Sequence, residues 1–309
     1  MSKQKIIGIA LVALVLVSLA VLVVAPRQDG FGNASGDAVA LVRLSGPIQD
    51  SGSSSLLGAA AITPDLVRQR LDAATQSAAT KAVVLRVDSP GGTVAASQEI
   101  ADMVRAAPEP IVVSMGDVAA SGGYYISSQA DAIVAQPGTL TGSIGVIWSN
   151  LDPSGLFRKL GIDIDAVTAG KHKDMLLPGR LTPERRRLLQ RLVDTMYAQF
   201  VSAVARGRDL SRTEVRALAT GEPFTGAQAL RNGLVDKLGG LDEAVAEAER
   251  IAGIEDAEVV EMSPSLFEQL FSGGGFAGAR ALFEDNAAVD RLALLRDLLT
   301  TVSAPRYGL

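Results

Sequence analysis

Residues 115–125 have the sequence MGDVAASGGYY, which predicts an apolar strand that breaks into a turn of very small residues and then a helix. Ser121 stands at the turn, between Ala120 and Gly122, where no bulky side chain would block an approaching carbonyl group. The new helix would direct free backbone N–H groups outward, and such donors can stabilise an oxyanion. The segment therefore predicts either a nucleophilic serine or a serine that only caps the helix.

Short apolar runs alternate with helical patterns along the chain, which predicts an α/β fold. Strands are predicted at residues 39–44, 82–87, 110–114, 132–135, 145–148 and 165–168. Helices are predicted after Thr93, from Ser121, and at two Thr-Pro-acid starts that begin with Thr63 and Thr182. The sequence SRTE from Ser211 is typical of a capping box at the start of another helix.

The composition restricts the chemistry that the chain can perform. It contains no cysteine and one histidine, His172, which excludes thiol nucleophiles, disulfides and ordinary Cys/His zinc sites. The net charge of -5, without a basic cluster, argues against nucleic acid as a partner. The sequence predicts neither a metal nor a cofactor.

An apolar segment at residues 6–25 is long enough, at ~1.5 Å per residue, to cross a ~30 Å hydrocarbon core as one helix. Lys3 and Lys5 precede it and Arg27 follows it, so the positive-inside rule predicts a cytoplasmic N-terminus and an extracytoplasmic remainder at the cell membrane. A cleaved signal peptide is the alternative, but the nearest Ala-x-Ala triplet, at 38–40, lies too far downstream. We therefore expect a single uncleaved anchor.

The turn DSPGG at residues 88–92 follows one predicted strand and precedes a predicted helix. Its glycines allow close approach of the backbone, so Gly91 or Gly92 could offer an N–H to a substrate. A tight turn alone would also explain these glycines.

The loop GKHKD at residues 170–174 offers three candidate bases. A lysine acts as a base only when it is neutral, which requires its pKa to fall from about 10.4 towards 7 or 8 through burial or a cationic neighbour. The residues alone leave Lys171, His172 and Lys173 open as the base that would activate Ser121.

Several motifs occur in one order along the chain: the anchor, DSPGG at 88–92, SGGYY at 121–125, TLTGSIG at 139–145, HKD at 172–174 and GLVD at 233–236. Together they resemble the signal peptide peptidase A family of membrane-anchored serine peptidases, in its short, single-copy form. The likeness extends from about residue 39 to about residue 251.

This resemblance implies a fold of the crotonase and Clp protease type, a superhelix of ββα units, with a Ser-Lys dyad. By correspondence with the family motifs, Ser121 is the nucleophile, Lys173 is the general base and Ser143 holds the lysine. The backbone N–H groups of Gly91 and Gly122 correspond to the oxyanion hole.

The resemblance also implies partners and substrates. The substrates would be remnant signal peptides and other unfolded or membrane-associated peptides, and residues 6–25 would contact membrane lipid. A homo-oligomeric ring is expected, in which Ser121 and Lys173 of one site come from adjacent subunits.

Three other interpretations stay open at this point. Ser121 could work with His172, as serine does in the caseinolytic relatives. An acyl-CoA enzyme of the crotonase type could use the same glycine N–H groups, but it would leave Ser121 and Lys173 unexplained. A non-catalytic membrane scaffold would carry an inert Ser121.

The predicted organisation is a cytoplasmic stub with the transmembrane anchor at 1–25, a linker at 26–37, a peptidase domain at 38–255, and a tail at 256–309 with an amphipathic helix. The tail contains GGGFAG at 273–278, which has the spacing of a dinucleotide-binding fingerprint. The preceding residues predict a helix and not a strand, so we interpret the motif as a flexible joint.

Overall fold

The computed structural model describes residues 36–50, 61–177 and 179–262. The predicted anchor at 6–25, nearly all of the linker and the tail motif at 273–278 lie outside the described residues. No helix in the described ranges is both long enough and apolar enough to cross a membrane.

The strands of the described residues form one sheet. They are β1 (Ala38–Ser45), β2 (Thr80–Ser89), β3 (Ile111–Ala120), β4 (Ala132–Ala135), β5 (Leu140–Gly142), β6 (Pro223–Thr225), β7 (Lys237–Leu238) and β8 (Glu258–Glu261). The order is β6-β5-β3-β2-β1-β8, and β4 pairs with β3 and β7. Only β5 and β6 pair in antiparallel fashion among these strands.

The helices of the described residues are α1 (Pro64–Thr75), α2 (Val94–Ala106), α3 (Gly122–Ser127), α4 (Ser154–Lys159), α5 (Pro183–Gly207), α6 (Arg212–Leu218), α7 (Gly226–Arg231) and α8 (Leu241–Ala252). The predicted helix starts are confirmed. Thr63 and Thr182 cap α1 and α5 with their side chains, and Ser211 forms a complete capping box at α6.

Both faces of the sheet are buried, as expected for a mainly parallel sheet. On β2, Val83, Leu85 and Val87 face the larger core, which includes buried residues of α1, α2, α3 and α5. Ala82 and Val84 face a smaller core beneath α8. The predicted mixed α/β architecture is confirmed.

The strands predicted at 145–148 and 165–168 are wrong, because neither segment joins the sheet. The two segments belong to residues 145–177, here named the arm, which contains α4 and has no buried residue. β5 is paired on one side with β3 and on the other with β6, so no sheet edge is left beside it. The apolar runs that suggested strands are consequently exposed.

The sheet continues beyond residue 255, where the sequence places the end of the domain. β8 pairs in parallel with β1, from Ala38 opposite Glu258 to Leu41 opposite Glu261. The first part of the predicted tail therefore contributes an edge strand.

We predict that Tyr124→Phe destabilises the fold at neutral pH. The phenol is fully buried and donates a 2.9 Å hydrogen bond to the Leu234 carbonyl, which the variant would leave unsatisfied at a cost of about 1–3 kcal/mol. Burial raises the pKa of this phenol above its ordinary value of 10.0, so the wild type loses stability as pH rises above that value. The gap between variant and wild type should therefore narrow at about pH 10.5. Urea unfolding at both pH values measures the difference in free energy of unfolding. Equal stabilities of variant and wild type at neutral pH would contradict the prediction.

Candidate active site

Ser121 lies between the carboxyl end of β3 and the start of α3, as the sequence predicts. Its backbone has φ 52° and ψ -119°, a conformation that side chains normally avoid and that is often found at functional sites. Two backbone hydrogen bonds of 2.8 Å hold it: its N–H donates to the Gly142 carbonyl, and its carbonyl accepts from the Tyr125 N–H. The neighbouring elements thus fix a strained serine in one orientation.

The Ser121 side chain does not cap α3, since it accepts no hydrogen bond from the first turn of that helix. Thr182 and Ser211, by contrast, cap their helices with side-chain oxygens. The capping interpretation of Ser121 therefore has no support in the geometry, and the hydroxyl of this half-buried residue is available for other chemistry.

The DSPGG turn packs directly against Ser121. A β-carbon added to Gly91 would lie 2.8 Å from the Ser121 Cβ, and one added to Gly92 would lie 1.8 Å from the Ile48 carbonyl oxygen. Gly91 also has φ +98°, a left-handed conformation that favours glycine. Glycine at Gly91 is required for this contact between the ends of β2 and β3, and glycine at Gly92 for the contact of the turn with Ile48, which follows β1.

The two predicted oxyanion donors lie side by side but differ in their bonding. Gly122 is the first residue of α3, so its N–H has no acceptor within the helix. The Gly91 N–H donates a 3.1 Å hydrogen bond to the Oγ of buried Ser89. Sequence reasoning missed this use of Ser89, because a hydrogen bond across a turn has no distinct sequence signal beyond Ser-Pro-Gly.

Ser143 follows Gly142, the residue whose carbonyl binds the Ser121 N–H. It has φ 48°, and its hydroxyl donates a 3.1 Å hydrogen bond to the Gly221 carbonyl. The Ser143 oxygen keeps lone pairs that can accept a hydrogen bond from an amine or ammonium group.

Lys173 lies on the arm, in a succession of turns, and is exposed. Its backbone N–H donates to the Gly170 carbonyl at 3.1 Å. Within the described residues no hydrogen bond or ion pair joins Lys173 to Ser121 or to Ser143. A single chain therefore assembles the serine, the glycines and Ser143, but it does not bring the predicted base into contact with them.

The other two candidate bases contact the start of α5. Lys171 Nζ lies 3.0 Å from Glu184 Oε1, and His172 Nε2 lies 3.9 Å from the same oxygen. The hydrogen bond from Lys171 lowers the pKa of the Glu184 carboxyl. Among the described residues, Lys173 has no ion pair of its own.

Ser97 lies beside Gly122 and is a second residue near the site that the sequence did not identify. It is buried on α2, and a β-carbon added to Gly122 would lie 2.5 Å from its Oγ. A carboxylate near the site, that of Asp88, accepts a 3.1 Å hydrogen bond from the Val118 N–H and so ties the ends of β2 and β3 together.

Within the described residues, no cluster of His, Asp and Glu could hold a metal ion.

The sequence matches two family models, peptidase family S49 over residues 104–255 and Clp protease over residues 60–136. It is 37% identical over 232 residues to a putative signal peptide peptidase SppA of Enterococcus faecium, an alignment that covers 74% of this chain and 67% of the relative. The chain belongs to peptidase family S49. The predicted family and the predicted class of enzyme, a peptide-bond hydrolase, are thereby confirmed.

Other relatives share smaller parts of their length with this chain. A putative protease of Synechocystis is 45% identical over 184 residues, covering 59% of this chain and 66% of the relative. Protease 4 of Salmonella typhi is 43% identical over 175 residues, covering 56% of this chain and 28% of the relative. The chain thus spans about two thirds of the first two relatives and little more than a quarter of protease 4.

A likeness to a solved structure supports the fold. A lysine mutant of the 1510-N membrane-bound stomatin-specific protease, in complex with a substrate peptide, superposes with a TM-score of 0.51 at 17% identity. The match covers 77% of this chain and 97% of that chain. Together with the Clp protease match, it confirms a Clp-protease-like domain.

We predict that Gly122→Ala disrupts the site by steric overlap with Ser97, at a cost of about 1–3 kcal/mol in stability and with loss of peptidase activity. Removing the Ser97 hydroxyl in the double variant Ser97→Ala/Gly122→Ala should restore part of the lost stability, since the β-carbon would still lie 3.1 Å from Gly92 N and 3.2 Å from Gly91 Cα. Gly138→Ala is the matched control, because a β-carbon there meets nothing within 4 Å. Thermal unfolding measures the effects, and a double variant no more stable than Gly122→Ala would contradict the steric explanation.

Proposed function

We propose that this chain is a membrane-anchored serine endopeptidase with Ser121 as nucleophile and Lys173 as general base. The observation that carries the proposal is the strained Ser121, whose hydroxyl does not cap α3 and which packs against the DSPGG turn. Membership of peptidase family S49 supports peptides as substrates. We infer that these are remnant signal peptides and other unfolded or membrane-associated peptides.

The reaction begins when neutral Lys173 takes the proton of the Ser121 hydroxyl and the serine oxygen bonds to the peptide carbonyl carbon. The carbonyl π electrons move to its oxygen, and the resulting oxyanion lies beside the N–H groups of the site. Lys173 then gives its proton to the departing amine as the C–N bond breaks. A water molecule, deprotonated by Lys173, hydrolyses the acyl-enzyme by the same route.

The supporting groups have separate tasks in this mechanism. Gly122 supplies the first N–H to the oxyanion, and Gly91 supplies a second when its N–H turns from Ser89 to the substrate. Ser143 accepts a hydrogen bond from Lys173 while its own hydroxyl donates to the Gly221 carbonyl. These roles require Lys173 to enter a site that it does not contact within one chain.

We infer that a neighbouring subunit of a homo-oligomeric ring provides this lysine. The arm exposes large apolar side chains: Ile147, Trp148, Leu151, Leu156, Leu160, Ile162, Ile164, Val167, Leu176 and Leu177. Ile147 is 86% exposed and Leu151 is 80% exposed, so burial against a second copy would remove a large apolar area from water. Lys173 lies on the same arm and would be carried to the Ser121 of that copy.

Co-refolding tests the dyad and its assembly together. Ser121→Ala and Lys173→Ala should each be inactive alone, because the two groups act as a unit. In an equal mixture, about one interface in four would combine an intact serine with an intact lysine, so about a quarter of wild-type activity should return. A mixed oligomer of normal size that stays inactive would contradict the shared site, and an active Lys173→Ala would contradict the base.

Two substitutions in the same loop serve as controls for the assignment of the base. Lys171→Ala should keep most activity, because its ion pair with Glu184 is exposed and such pairs contribute little. His172→Ala should also stay active. Loss of activity in His172→Ala together with an active Lys173→Ala would favour the Ser121–His172 alternative.

We further propose that residues 6–25 anchor the protein in the cell membrane and place the catalytic domain outside the cytoplasm. The support is the apolar length and the positive charges before it. Protease added to intact cells should remove the domain, and the mature protein should retain Lys3. Recovery of a membrane-free mature form that begins near Pro26 would contradict the anchor.

A further inference from the structure

The residue that follows Lys173 is bound to the start of the long helix α5. Arg185 Nη2 lies 2.5 Å from Asp174 Oδ2, a charge-assisted hydrogen bond. The backbone N–H of Arg185 also donates to the Thr182 capping oxygen at 3.2 Å, which fixes the arginine at the first turn of the helix. Asp174 is therefore tied to the start of α5, one residue away from the proposed base.

Helix α5 is itself held by the core of the protein. Its buried side chains include Leu189, Val201 and Val204, and its Phe200 ring lies 4.8 Å from the Tyr125 ring of α3. The first turn of α5 is itself largely exposed, and the core holds the helix through Leu189 and through buried residues at its C-terminal end. A group bound to the first turn is thus connected to the core through the length of the helix.

The GKHKD loop at residues 170–174, which carries Lys173, makes few other contacts with the rest of the described residues. The backbone hydrogen bonds of its turns are local, such as Lys173 to Gly170 and Leu177 to Asp174. Its other ion pairs to α5 both go to Glu184, one from Lys171 and one, at 3.9 Å, from His172. They are more exposed, with 76% of the Lys171 side chain and 38% of the His172 side chain accessible against 22% of the Arg185 side chain. Exposed pairs are screened by water and contribute little, so the Asp174–Arg185 pair is the stronger tie.

We propose that Asp174 and Arg185 are positioning residues, whose ion pair holds the turn that presents Lys173 to the Ser121 hydroxyl. This inference rests on the proposed function of Lys173 as the base. The pair contacts neither the substrate nor the reacting atoms. The hydrogen bond from Arg185 also lowers the pKa of the Asp174 carboxyl, which keeps the pair charged throughout the pH range in which a peptidase works.

The test uses the full chain in detergent and steady-state hydrolysis of a fluorogenic peptide. Arg185→Ala and Asp174→Asn should each lower kcat about 10- to 100-fold with little change in KM, because a small misplacement of the base slows proton transfer but does not affect peptide binding. Arg186→Ala is the matched control, since Arg186 is exposed on the same helix and makes no ion pair with any described residue. It should keep the wild-type kcat.

Exchange of the two charges distinguishes positioning from a general loss of structure. The double variant Asp174→Arg/Arg185→Asp should have a kcat at least about fivefold higher than that of Asp174→Arg or Arg185→Asp alone, because the salt bridge is rebuilt in reverse. Wild-type kcat in both Arg185→Ala and Asp174→Asn would overturn the proposal. So would a loss of kcat that is accompanied by a changed oligomer size, or that the exchange does not restore.

The same assays separate this inference from the proposed function. Lys173→Ala is measured alongside: if it is active, the base assignment itself fails. If Lys173→Ala is inactive while Arg185→Ala and Asp174→Asn are unchanged, only the positioning role fails. Should Arg185→Ala not fold, as judged by circular dichroism, the nearly isosteric Asp174→Asn decides the outcome.

Discussion

The site depends on a close approach of two turns that leaves no room for a β-carbon. The DSPGG turn after β2 and the SGG turn after β3 touch through Gly91 and Gly122, where added β-carbons would lie 2.6 Å from Gly122 N and 2.5 Å from Ser97 Oγ. Only a chain with glycine on both sides of the contact can bring a serine hydroxyl and backbone N–H groups to one point. The parallel pairing of β2 with β3 delivers both turns to the same edge of the sheet.

The strain at Ser121 is compensated by elements that are rigid for other reasons. The serine N–H is held by Gly142 of β5, and Asp88 of β2 accepts the Val118 N–H of β3. Buried apolar strands behind these contacts stabilise them far more than an outlying φ costs, which is on the order of 1–3 kcal/mol. Ser121 is therefore oriented before any substrate arrives, so in the proposed function a reacting carbonyl would meet donors that need little reorganisation.

The sequence predicted the parts of this protein whose signals are local. The helix starts at Thr63, Thr182 and Ser211 and the strand-turn-helix at Ser121 could be predicted, because capping and small-residue turns depend on neighbouring residues. The arm could not. Its apolar runs have the composition of strands, but β5, the strand that precedes them, is already paired on both sides, and composition does not report which strands are already paired. The hydrogen bond from Gly91 to Ser89 could not be predicted either, because a hydrogen bond across this turn has no distinct sequence signal beyond Ser-Pro-Gly.

Strand β3 pairs with different strands at its two ends, so each half of β3 is connected to a different part of the sheet. Residues 112–114 pair with β4, residues 118–120 pair with β5, and the three residues between them pair with neither. The half that carries Ser121 is thus coupled to β5 and β6, whereas the other half is coupled to β4, β7 and α8. Substitutions around β4 and β7 are therefore expected to affect the stability of the fold more than the position of Ser121. Substitutions around β5 and β6 act on the half that positions Ser121, although Ile144 and Phe224 in and beside these strands also pack into the larger core.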